Sequence, residues 1–343
     1  MTCATCSPRT QNPMRALIGR LTKLHVPEAY LRKEVLPVWW DDEAALNPAG
    51  YAEALGYVSR HLGLDLRALQ TPGVPLSFVT LRKAKFKLKE GTTQAQVRPT
   101  AALAVRAVKT ALAAFSRPTE AIPSSASEIR EQILAHNHAW INLGNLLDWC
   151  WEKGLPVLHV SNLPKLIKKM DGLAANVDGR FVIALCSRHR QSAWLLFHLA
   201  HELGHISLGH VSESGVLFDQ DTRDDKRDSG ENEATQFALE LINGSAGVSF
   251  KAHQWLRAED LARAAKDAGR QFKVDPGTVA LNYAWNCELK QFAAANRALS
   301  LLEPNANAPA LIQQRMRDHL DLSLLPEESA AWLLRITTPG APE

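Results

Sequence analysis

The segment Phe197-His198-Leu199-Ala200-His201-Glu202-Leu203-Gly204-His205 carries the residue types that hydrolytic metal chemistry requires. In an α-helix, residues four apart stand one above the other. His201 and His205 therefore present two imidazoles to one ion, and Glu202 projects beside the same point. The run is apolar and free of proline, which predicts a helix. Zinc is the expected metal, because it accepts neutral imidazole nitrogen and in catalytic sites takes three protein ligands plus water. Glu202 then serves as the general base.

A third ligand is expected from Glu231-Asn232-Glu233-Ala234-Thr235-Gln236-Phe237-Ala238-Leu239-Glu240-Leu241-Ile242, which follows a polar stretch from Val211 to Ser229 and reads as an amphipathic helix. Glu231 shares the face of Ala234 or Thr235, Ala238 and Leu241, so it points inward, where a carboxylate is costly unless paired or metal-bound. Glu233 lies about 160° away around the helix. The facing argument selects Glu231, with Glu233 as the alternative.

The nonapeptide from Phe197 to His205, followed by Glu231-x-x-Ala234-x-x-Phe237-Ala238-x-x-Leu241, resembles the ImmA/IrrE family of zinc metallo-endopeptidases over roughly residues 125–244. The resemblance implies a gluzincin-like protease that cuts a helix-turn-helix repressor in a DNA-damage or anti-phage response, the CapP-like forms being the nearest type. Carried over by residue, it implies zinc ligands His201, His205 and Glu231 with Glu202 as catalytic base. Two positions depart from the family pattern. His198 stands where Thr is common, and Asn243-Gly244 where many members have Met-Pro.

These residues must be positioned by the rest of a 343-residue chain that is 46% hydrophobic with net charge +3, enough for two or three domains. No apolar run near 20 residues is free of charges, and the N-terminus lacks a signal pattern, so neither a membrane nor export is expected and a cytoplasmic location is. Five scattered cysteines fit a reducing compartment. Residues 1–12, with the lone pair Cys3 and Cys6, read as a disordered leader.

Residues 13–117 read as a helical and basic N-terminal domain, with Pro48 to Leu66 as helix, turn and a further short helix. This part bears a weak likeness to a repressor-type helix-turn-helix, but Trp39-Trp40-Asp41-Asp42-Glu43 is more acidic than a groove reader should be. Leu81 to Lys89 reads as a strand with Lys83, Lys85, Lys87 and Lys89 on one face, and Pro99 to Phe115 as a helix opened by its proline. Nine basic residues stand against Glu90 alone between Leu81 and Pro118. A lysine row spaced about 6.6 Å suits a single-stranded DNA track that Arg98, Arg106 and Lys109 would extend, or equally an edge strand guarded against aggregation.

Residues 118–127 read as a linker and 128–244 as a zincin-like metallopeptidase domain of α+β class. Ser125 caps a helix expected to run to about Glu152. Val157–Val160, Leu173–Val177 and Arg180–Cys186 read as strands, the last two joined by an Asp178-Gly179 hairpin turn. The last strand is expected to border the substrate cleft, where an extended peptide could add to it. Cys186 at its end is then a candidate inhibitory ligand filling the metal's fourth position. Residues 245–343 read as helical, over Asp260–Phe272, Asp275–Ala293 and Pro309–Leu320. A DNA-binding regulator with a non-catalytic metal site is the alternative to the protease.

Overall fold

A computed structural model of the chain describes residues 12–81, 84–87, 93–164, 171–211, 216–219, 229–287 and 291–340. Helices α1 (Pro13–Thr22), α2 (Glu28–Tyr30), α3 (Pro48–Leu62) and α4 (Leu66–Gln70) precede strand β1 (Ala84–Lys87). Then come α5 (Gln94–Ala113), α6 (Ala126–Leu134), α7 (Leu143–Glu152), β2 (Val157–His159), β3 (Gly172–Val177) and β4 (Arg180–Leu185). Next are α8 (Ser192–Ser207), β5 (Val216–Asp219) and α9 (Ser229–Asn243). The remaining helices are α10 (Ala258–Phe272), α11 (Pro276–Asn286), α12 (Phe292–Leu302), α13 (Ala308–His319) and α14 (Glu327–Thr337).

The strands form one mixed sheet in the order β1-β5-β3-β4-β2, which with the many helices makes the fold α+β. At the predicted hairpin, Asp178 and Gly179 have φ of 53° and 85°, the left-handed pair that a tight two-residue turn demands. Side chains alternate across the sheet. Leu173, Ala175, Val182, Ala184 and Cys186 join the core shared with α5, the N-terminal helices and Trp332 of α14. Ala174, Ile183 and Leu185 join the core shared with α6, α7, α8 and α9. The sheet is thus the middle of three layers, and segments on both sides of residues 118–127 pack against it. A third core, of α10, α11 and α12, seats on Ala193 and Trp194 at the start of α8.

Several sequence expectations change. The helix expected to run from Ser125 to about Glu152 is two helices: Ser125 does cap α6, but Asn137 takes φ 65° and Asn142 opens α7 through a reciprocal cap with Asn145. Asparagine favours both conformations. Pro99 lies inside α5 rather than at its start, at the cost of one intrahelical bond. The span Asp275–Ala293 divides into α11 and the start of α12, and β5 lies within the polar stretch. β4 is an inner strand, paired along its length with β3 and over Ile183–Leu185 with β2, so those residues have no free edge for a further strand. Apart from Asn12, the expected leader falls outside the described residues. No helix of the described residues is long and apolar enough to cross a membrane.

Two buried histidines tie neighbouring segments together. His61, 4% exposed, donates from Nδ1 to the Val35 carbonyl at 2.6 Å and stacks on Trp332 at 5.0 Å. His159, 3% exposed, donates from Nε2 to the Ser187 carbonyl at 2.8 Å, while Ser161 Oγ lies 2.7 Å from Nδ1. Burial pushes both pKa values from 6.5 down to about 4, against the opposing pull of those carbonyls. Below pH 6.5 the unfolded chain binds protons that the folded chain refuses, so stability falls as pH drops and the loss levels off below about 4. Ring NMR should find both residues neutral at pH 5.5, between those two values; a ring titrating near 6.5 in the folded protein would contradict this account of the core.

Candidate metal centre

α8 is buried from Ala193 to Ile206 apart from Phe197. Leu195, Leu199 and Leu203 pack in the core with Ala174, Ile183 and Leu185 of the sheet. α9 crosses α8 at very close range. A Cβ at Gly204 would stand 3.1 Å from both the Ala234 carbonyl oxygen and a Phe237 ring carbon, so glycine is what admits this approach. The crossing sets Glu231, one turn before Ala234, against His201 and His205.

Three side chains meet there, 6%, 0% and 4% exposed for His201, His205 and Glu231, and their ligand atoms all lie within 4.8 Å of one another. His201 Nε2 is 3.2 Å from Glu231 Oε2, His205 Nε2 is 3.4 Å from Glu231 Oε1, and the two Nε2 atoms are 3.2 Å apart. Nitrogen and oxygen ligands about 2.0–2.1 Å from one tetrahedral ion stand about 3.3 Å from each other. The group could hold a metal ion.

The far sides of the rings are held as well. His201 Nδ1 faces Thr235 Oγ1 at 3.4 Å. His205 Nδ1 faces His210 Nδ1 at 2.9 Å, and His210 Nε2 faces Glu233 Oε2 at 3.1 Å. A proton on each Nδ1 leaves both Nε2 lone pairs directed at the centre, the arrangement that outer partners of metal-bound histidines commonly impose. Glu233, the alternative ligand of the sequence reading, is 58% exposed and reaches the site only through His210. Sequence reasoning missed His210, and it allowed Thr235 on the inward face without giving it a role. A signal for His210 does exist: Gly209 turns left-handed at φ 72° and folds the chain back, so that His210 N–H bonds the His205 carbonyl at 2.9 Å.

Glu202 is 2% exposed and lies over β3, where a Cβ at Gly172 would overlap its Oε1 and stand 3.0 Å from its Cδ. Gly172 thus makes the space in which the carboxylate sits, a second residue the sequence did not single out. Cys186 is not in the metal-capable group. The two-residue period of β4 carries it with Val182 and Ala184 into the core on the sheet face opposite α8, and burial raises its thiol pKa far above the ordinary range, with Asp171 and Glu202 adding to the shift.

Of the candidate nucleic-acid-binding residues, only those of α5 have side chains among the described residues. Lys83 and Lys89 lie outside the described residues, as do the side chains of Lys85 and Lys87. α5 is buried along most of its length: Lys109 is exposed and Arg98 half-buried, while burial lowers the pKa of Arg106. The helix therefore offers no continuous basic face.

Metal binding should sort these residues. Glu231→Ala should abolish stoichiometric binding, Glu233→Ala should retain it, and His210→Ala should weaken affinity about 10–100-fold, as loss of an outer partner does. Competition with a chromogenic chelator measures all three. Full affinity in Glu231→Ala would contradict the ligand assignment.

Comparison of the chain with family models, with curated proteins and with solved structures finds no match to any of them.

Proposed function

We propose that the chain is a zinc-dependent endopeptidase with a zincin-like core, of the ImmA/IrrE type its motifs resemble. The observation that carries this reading is the convergence of two imidazole Nε2 atoms and one buried carboxylate at tetrahedral spacing, with Glu202 adjacent in the helix. Two histidines and a glutamate are a donor set of catalytic zinc sites that keep a position open. A structural site would need no adjacent base.

A bound zinc ion supplies Lewis acidity there, acidifying water and polarising the peptide carbonyl. Glu202 takes the water proton as the carbonyl is attacked and delivers it to the leaving nitrogen. Gly172 leaves the space that the Glu202 carboxylate occupies. Thr235 and His210 hold the imidazole tautomers. The substrate that the resemblance favours is a helix-turn-helix repressor, cut in the cytoplasm during a DNA-damage or anti-phage response.

Glu202→Gln should bind zinc as the wild type does while losing cleavage of a candidate repressor by on the order of 10²–10⁴-fold, the usual worth of a general base. Gly172→Ala should lower kcat with metal content unchanged, because the added methyl displaces Glu202. Cleavage by Glu202→Gln at the wild-type rate would remove the proposed role.

A further inference from the structure

Beside the metal group opens a cavity of about 320 Å³, walled by α8 and α9 on one side and by α11 and the start of α12 on the other. His201 and Glu231 are among its lining residues. Trp194, Phe197, Leu239, Leu281, Trp285 and Phe292 form the apolar part of a mixed wall, and among the described residues no lysine, arginine or aspartate lines it. A site of this composition favours an uncharged, bulky group, since apart from His198 and the two metal-site residues His201 and Glu231 no described lining residue can carry a charge.

One polar group in the wall is unused. Asn243, 5% exposed, lines the cavity, and neither its Oδ1 nor its Nδ2 has a hydrogen-bond partner among the described residues. Asn282 on the opposite wall is fully engaged: it accepts from Phe250 N–H at 2.9 Å and donates to the Val248 carbonyl at 3.0 Å, pinning that loop to α11. A buried amide without partners is destabilising unless something entering the cavity pairs with it. In an extended chain the N–H and C=O of one residue point the same way, so a single carboxamide can pair with both, as one strand does with its antiparallel neighbour.

We propose that this cavity is the specificity pocket of the site, taking one large uncharged apolar side chain of an extended protein segment, with Asn243 bonding the backbone N–H and C=O of that residue. The proposal rests on the protease reading for the placement of that residue beside the scissile bond, but binding in the pocket requires no cleavage. It also gives the C-terminal helices a task, since Trp285 of α11 supplies the outer wall.

The test is ligand-observed NMR on the zinc-loaded full chain with N-acetyl amides of phenylalanine, leucine, lysine and glutamate. The phenylalanine and leucine compounds should bind at least about tenfold more tightly than the charged pair. Trp285→Ala, at a residue 38% exposed and so safe for folding, should weaken them about tenfold. Asn243→Leu should do the same by removing the amide, with a melting temperature no lower than wild type. Equal binding of all four compounds, or unchanged binding in both variants, would overturn the pocket. Apolar binding without cleavage of any protein would uphold the pocket and sink the protease. Efficient cleavage between residues that are all small or charged would do the reverse.

Discussion

The structure turns on the burial of a carboxylate between two imidazoles. Glu231, His201 and His205 are 4%, 6% and 0% exposed and stand within hydrogen-bonding range of one another. Ionisable groups so placed cost several kcal/mol unless charge and hydrogen bonds are met locally. With both Nδ1 atoms turned to outer partners, the centre presents lone pairs and negative charge, which a divalent cation answers. Metal affinity and fold stability should accordingly be linked in this region, since a ligand bound only by the folded state stabilises it by mass action.

Everything near the centre serves that convergence. The sheet gives α8 a flat apolar bed, and Gly204 lets α9 come close enough for Glu231 to reach the histidines. Arg130 of α6 then ties down the end of α9 by donating to the Leu241 and Ile242 carbonyls at 2.9 and 3.1 Å, and its other amino group reaches the Lys273 carbonyl at 3.0 Å beyond α10. The C-terminal helices are thus fastened to the metal-bearing layer, not hung beside it. The opposite face of the sheet belongs to α5, α14 and the N-terminal helices, whose core contains Cys186.

What could be read in the sequence was what local periodicity decides. The four-residue spacing of His201 and His205, the inward face of Glu231, the Ser125 cap and the Asp178-Gly179 turn all follow from residues within two helical turns of each other, and the structure has each of them. What could not be read depends on long-range pairing. Alternation along β4 puts Cys186 in phase with Val182 and Ala184, but nothing local states which face α8 covers or that β2 and β3 enclose the strand. His210 gains its place from a left-handed glycine turn, and the Asn243 cavity exists only once α11 has docked.

X-ray absorption at the zinc edge, on the full chain loaded with one equivalent of zinc, tests the central claim most directly. The account predicts a first shell of nitrogen and oxygen alone at about 2.0–2.1 Å, with the multiple-scattering pattern of two imidazoles, lost in Glu231→Ala. A sulfur scatterer at about 2.3 Å, or a shell unchanged in that variant, would contradict it.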